Sequence, residues 1–165
     1  MLRPFPSYPL CPVCGDPAVN PATLGVRWWW DPELRLVVGR FTPGPAHAGY
    51  ENQVHGGIMA SLADEALAWA CAVERGSYCV TGELTLRYAA PAPVAETLRV
   101  TASAGESWGR YVRATARLEL AGGLVAATAT GTFAAMPRDQ ALRLHGRLHI
   151  ASGDFDILVG PEPGE

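Results

Sequence analysis

The 165-residue chain has no surplus of positive charge: thirteen basic side chains face sixteen acidic ones, a net charge of −3. Nucleic-acid surfaces need a basic stripe, so no nucleic acid is expected as a partner. No stretch reads as the roughly 18 to 20 consecutive apolar residues of a membrane span, and no membrane partner is expected. The N-terminus, MLRPFPSYPLCPVCG, lacks the apolar core of a signal peptide and carries proline at positions 4, 6, 9 and 12. A cytoplasmic protein is the expectation.

Cysteine is also scarce, with four in all. Cys11 and Cys14 form a CxxC, while Cys71 and Cys79 stand apart. Structural zinc takes four ligands, commonly two such pairs, and the second pair is missing. Zinc would need His47, or a second copy of the pair from another subunit. A redox CxxC usually follows a strand and opens a helix, whereas this one lies among prolines. The pair reads as reduced thiols in a turn, and neither metal nor cofactor is expected. His145 and His149 have no acid or cysteine at ligand spacing and read as surface residues.

The chain does have ample material for one core: 48% of its residues are hydrophobic. Residues 1–23 read as a Pro-rich arm, 24–136 as the domain, and 137–165 as an extended tail. Two β-rich runs, about 25–30 and 34–41, are broken by the turn signal Asp31-Pro32. After a Gly/Pro-rich loop over 42–53, the pattern from Gly57 to about Glu74 turns helical. Ile58, Leu62, Ala66, Trp69 and Val73 form one stripe, and alanine or cysteine fills other faces. Arg75-Gly76 stops that helix. Period-2 alternation then marks strands at 79–88, 96–104, 110–120 and 124–135. The order β-β-α-β-β-β-β implies an α+β fold, a largely antiparallel sheet curled around one long helix.

The helix opens with HGGIMASLADEA, residues 55–66, and places the adjacent acids Asp64 and Glu65 in its apolar run. Desolvating a carboxylate without a partner costs several kcal/mol. Asp64 stands among Leu62, Ala63, Leu67 and Ala68, with Ser61 its only near polar neighbour on the helix. An acid buried there is a better proton acceptor. A buried helix N-terminus offers unpaired N–H groups to a developing oxyanion, and glycine lets a carbonyl come close. Gly56 and Asp64, eight residues apart, are separated by ~12 Å of helix. One carbonyl cannot touch both in one chain, so joint action requires two antiparallel helices in a symmetric dimer. Glu65 projects about 100° away from Asp64 around the helix.

HGGIMASLADEALAWA resembles the signature of the hotdog-fold acyl-CoA thioesterases, in the branch related to the phenylacetate-degradation thioesterases. CPVCG followed by NPATLGV, the loop HAGYENQVHGG and the strand VTGELTLRYAAPAP extend the likeness over about residues 11 to 136. The resemblance implies an acyl-CoA substrate, with Asp64 acting as general base or nucleophile. The Gly56 amide, with Gly57 at the helix start, would hold the thioester oxygen, and His55 would order the turn. Thr81 matches a hydroxyl that supports water or carboxylate; as a residue it is equally an ordinary β-branched strand former. Many relatives carry asparagine six residues before the histidine, where this chain has Gly49. Asn52 and Glu65 are the remaining substrate-side or interface candidates. Arg87, Arg99, Arg110, Arg113 and Arg117 suit phosphate contacts but equally a solvated sheet face. Of Trp28, Trp29 and Trp30, at least one is expected in the core, and another in a pocket or interface.

The leading expectation is an acyl-CoA thioesterase acting as a homodimer, or a dimer of dimers, without metal or redox cofactor. The alternative is a non-catalytic acyl-CoA-binding or sensing module of the same fold. A hotdog hydratase or dehydratase would pair histidine and acid in other local motifs, and none is present.

Overall fold

The computed structural model describes residues 1–159. Its strands are β1 (Arg3–Pro4), β2 (Trp28–Asp31), β3 (Leu36–Phe41), β4 (Ala48–Tyr50), β5 (Gln53–Val54), β6 (Cys79–Tyr88), β7 (Leu98–Trp108), β8 (Tyr111–Glu119) and β9 (Val125–Ala135). Two helices join them, α1 (Gly56–Arg75) and α2 (Arg138–His145). The main sheet runs β1-β2-β3-β7-β8-β9-β6, every pair antiparallel, and β4 and β5 form a small separate hairpin. This is the hotdog arrangement, an antiparallel sheet wrapped around one long central helix.

Local chemistry explains the element ends. Asp31 Oδ1 accepts the Glu33 and Leu34 N–H groups, each at 3.1 Å, which turns the chain between β2 and β3. Gly76 stops α1 in the left-handed conformation, φ 58°, with its N–H on the Ala72 and Val73 carbonyls. The strand expected at 96–104 runs on to Trp108 through a bulge after Ala104.

By length and composition α1 is long and apolar enough to cross a membrane, contrary to the sequence reading. Its apolar faces are instead spent on the fold, since it lies across β7, β8, β6 and β9. Leu62 and Leu67 are fully buried, worth about 1.5–3 kcal/mol each. Ala63, Ala66 and Ala70 let the sheet approach closely.

Trp28 and Trp30 enter the core, whereas Trp29 is half-buried. The Trp28 ring lies across its cross-strand partner Gly39, where an added Cβ would stand 2.3 Å from Cζ3. Gly39→Ala is therefore expected to destabilise the protein by about 1–3 kcal/mol, read as a lowered urea midpoint with unchanged m value.

The arm and the tail both pack on this core. Phe5 is 2% exposed and stacks on Trp69 with centroids 4.6 Å apart, while β1 extends the sheet. The tail, expected to be extended, contains α2 and returns Phe155 and Ile157 to the interior. Only Ala141 of α2 is buried, so the helix has no apolar stripe for a sequence reading to find. His145 is not a free surface residue, because its Nδ1 lies 2.8 Å from the Tyr78 hydroxyl. Residues 160–165 of the expected tail lie outside the described residues.

Candidate functional site

The start of α1 is built by short-range contacts. His55 is the N-cap, and its Nδ1 accepts the Gly57 N–H at 2.9 Å. The Ile58 and Met59 N–H groups reach the His55 carbonyl. Gly57 is thus occupied within the cap, and the Gly56 N–H is the first-turn amide left without a partner among the described residues. The Tyr88 hydroxyl donates to the Gly56 carbonyl at 2.9 Å, and a Cβ on Gly56 would stand 3.3 Å from that ring. A cleft of about 700 Å³ opens here, lined by Gly49, His55, Gly56, Gly57, Met59 and Tyr88 among others.

Gly49, at the position where many relatives have asparagine, has a local reason. A Cβ there would approach the His55 Cα and Cδ2 to 3.0 Å, so the capping histidine occupies the space. Asn52, the nearest asparagine before His55, stands elsewhere. It is a left-handed residue, φ 57°, in the turn between β4 and β5, and it is not part of the cleft lining.

Two turns along α1, Thr81 Oγ1 donates to Asp64 Oδ1 at 2.8 Å. Asp64 is half-buried and Thr81 exposed, so this carboxylate borders solvent at the β6 edge and is not sealed among leucines. Ser61, read as its helical neighbour, donates instead to the Gly57 carbonyl at 2.9 Å. Neither Asp64 nor Thr81 lines the cleft at Gly56.

The acid whose titration the fold shifts is Glu65. Burial first, and then the charge on the Cys11 sulfur, push its carboxyl up to about 8. It turns under the N-terminal arm, where Cys11 Sγ lies 3.6 Å from Oε2. Hydrogen bonding from Cys14, its side chain above all, lowers the Cys11 thiol to about 6 against the opposing effect of burial, and the Cys14 thiol is raised by the same contact. His47, the histidine considered for this pair, accepts the Gly44 N–H and lies edge-on to Phe41.

The structure therefore brings together His55, Gly56, Gly57 and Tyr88 at one place, and Asp64 and Thr81 at another. Glu65 stands apart with Cys11, and Asn52 with neither. Tyr88 was missed because strand parity marks it as one more apolar residue, although it is half-exposed at the end of β6. Several of the arginines pair with acids, Arg117 with Glu119 at 3.0 Å and Arg113 with Glu106 at 3.8 Å.

Residues 51–127 match the family model described as the thioesterase superfamily. Among solved structures, a thioesterase superfamily protein aligns with 28% identity and a TM-score of 0.67 over 76% of this chain. The match spans 60% of that protein's length. The Escherichia coli PaaI protein from the phenylacetic acid degradation operon aligns at 22% identity, with a TM-score of 0.62 over 69% of this chain and 81% of its own. A Streptococcus mutans protein bound to acetyl CoA aligns at 17% identity, with a TM-score of 0.58 over 61% of this chain and 81% of its own. No curated protein matches the chain in sequence. Over residues 51–127 this chain is thus similar to the thioesterase superfamily, and its hotdog fold around α1 is the one these solved structures share.

Proposed function

We propose that the protein hydrolyses acyl-CoA thioesters, with Asp64 as the reacting carboxylate and the Gly56 amide of the partner subunit as the oxyanion donor. The observation that carries this reading is the division along α1 of a Thr81-oriented carboxylate from a glycine amide facing a cleft. The similarity of residues 51–127 to the thioesterase superfamily and a similarly folded protein bound to acetyl CoA support the substrate class.

Either route to products is balanced. As a base, Asp64 takes a proton from water, whose oxygen attacks the thioester carbonyl. The oxyanion rests on the Gly56 N–H, then collapses to release carboxylic acid and CoA thiolate, which takes up the proton. As a nucleophile, the carboxylate expels CoA thiolate and forms an anhydride that water cleaves. Neither route needs an oxidant or reductant.

The dimer completes the site because the two groups of one chain lie ~12 Å apart along the helix. The β6 edge suits that pairing. It is ten residues long, hydrogen-bonded on one side only, and exposes Val80 and Tyr88 at 45% and 50%. Such an edge invites pairing with another strand, and a copy related by a two-fold axis would bring its own edge antiparallel.

The test is CoA release, followed with a thiol reagent over short, long and aryl acyl-CoAs. Turnover of at least one class is expected; tight binding of all active candidates without release would favour an acyl-CoA sensor. Thr81→Val, which removes the donor to Asp64, is expected to lower kcat about tenfold with little change in KM, since a hydrogen bond to a charged group is worth about 1.5–3 kcal/mol. Unchanged kcat would remove Thr81 from the positioning role.

A further inference from the structure

We propose that Cys11, Cys14 and Glu65 form a zinc-class metal site that fastens the N-terminal arm to α1 beside Asp64. One donor atom from each of the three lies within 4.8 Å of the others. Two thiolates and a carboxylate are a borderline-soft donor set, suited to zinc and unlike the all-oxygen sets of magnesium or calcium.

The spacing fits coordination. Tetrahedral zinc, with sulfur at ~2.3 Å and oxygen at ~2.0 Å, sets its sulfur and oxygen ligands about 3.5 Å apart. Cys11 Sγ and Glu65 Oε2 are 3.6 Å apart. The loop is shaped as a ligand loop in its own right: the Val13 and Cys14 N–H groups both point at Cys11 Sγ, each at 3.3 Å. Outer hydrogen bonds of this kind orient a metal ligand and stabilise its anionic form.

The loop is also held from outside. Thr23 Oγ1 donates to the Cys11 carbonyl at 2.8 Å and accepts the Gly15 N–H at 3.1 Å. A Cβ on Gly15 would stand 2.2 Å from the Cys11 carbonyl oxygen, so the turn after the second cysteine closes only over glycine. Among the described residues, no arginine or histidine pairs with Glu65. A bound cation would displace the protons of these donors and balance the charge they then carry. The three residues line a cavity of about 310 Å³, which has room for a water as fourth ligand.

The role assigned to the ion is to tie the arm to α1, with three protein ligands where a closed structural zinc site has four. Cys11 and Cys14 belong to the arm and Glu65 to the helix residue next to Asp64, so one ion would tie segments 54 residues apart. It takes no part in the hydrolysis.

The test uses the full chain, with thiols kept reduced, stripped by a chelator and titrated with Co²⁺ and then Zn²⁺. The expected result is about one Co²⁺ per chain, with thiolate-to-cobalt charge-transfer bands and tetrahedral d–d bands that Zn²⁺ abolishes. Cys11→Ser, which leaves one thiolate, should lower the charge-transfer intensity by about half or more. Glu65→Gln, nearly isosteric, should keep a cobalt–thiolate signature but weaken Zn²⁺ binding by at least the ~10–100-fold that loss of an outer partner costs. Circular dichroism of each variant controls for folding. Absence of charge-transfer bands in the reduced wild type would overturn the proposal, as would Zn²⁺ affinity unchanged in Glu65→Gln. So would a Cys11–Cys14 disulfide found by mass in the freshly isolated protein. These readouts are spectroscopic and do not depend on turnover.

Discussion

Asp64→Asn is expected to reduce the proposed acyl-CoA hydrolysis by about 10²–10⁴-fold while leaving the fold and the proposed dimer intact. Asparagine keeps the size of the side chain and retains an oxygen at Oδ1, so the Thr81 hydroxyl, now 2.8 Å away, keeps its acceptor. What is lost is the negative charge, which both the base and the nucleophile routes require. The effect should therefore fall on kcat and leave acyl-CoA binding nearly unchanged. Thermal denaturation should show a midpoint close to the wild type, because Asp64 is half-buried at the sheet edge and makes no ion pair among the described residues. Wild-type turnover in this variant would refute Asp64 as the reacting group.

The second large effect is recovery of activity by mixing two inactive variants. Gly56→Val places its Cβ 3.3 Å from the Tyr88 ring and puts two further carbons at the mouth of the cleft, so a carbonyl no longer reaches the amide. Homodimers of Gly56→Val and of Asp64→Asn should each be inactive. A heterodimer has one site damaged at both positions and one site with both groups intact, if each site draws on two chains. Isolated heterodimers should therefore show about half of the wild-type activity. If each chain carried a complete site of its own, both sites of the heterodimer would be damaged and no activity would return. The measurement thus decides between a composite and a self-contained site, independently of which acyl chain is hydrolysed.

Much of the fold was legible because it rests on local pattern. The run from Cys79 to Tyr88 alternates with period 2 and is a strand over those bounds. Ala121-Gly122-Gly123 turns the chain between β8 and β9, with positive φ at both glycines. The helix stop at Gly76 and the turn at Asp31 were equally readable. The tail was not, since Phe155 and Ile157 are single apolar residues in Gly- and Asp-rich sequence, and no period announces that they are buried. The composition of α1 would serve a membrane span as well as a core helix, and its burial against the sheet accords with the reading as a core helix.

At the site the division is similar. The glycines at the helix start and the distance from Gly56 to Asp64 follow from adjacency and from a fixed rise per residue, whereas the ordering role of His55 came with the resemblance. Contacts between distant segments did not follow. Thr81 with Asp64 is a pair 17 residues apart, Tyr88 with Gly56 one of 32, and Cys11 with Glu65 one of 54. The CxxC lacked a third ligand in the sequence because that ligand belongs to the helix and not to the arm.

The sequence alone determined the order of the main strands around one long helix (though not β1, the β4–β5 hairpin or α2), the glycine start of α1, and the ~12 Å that keeps Gly56 and Asp64 of one chain from sharing a carbonyl. These depend on periodicity, backbone conformation and helix geometry, which act over a few residues. The tertiary structure decided which acid stays near solvent and which is buried under the arm. Neighbouring positions on a helix point about 100° apart, and what each one meets is set by segments packed there from elsewhere in the chain.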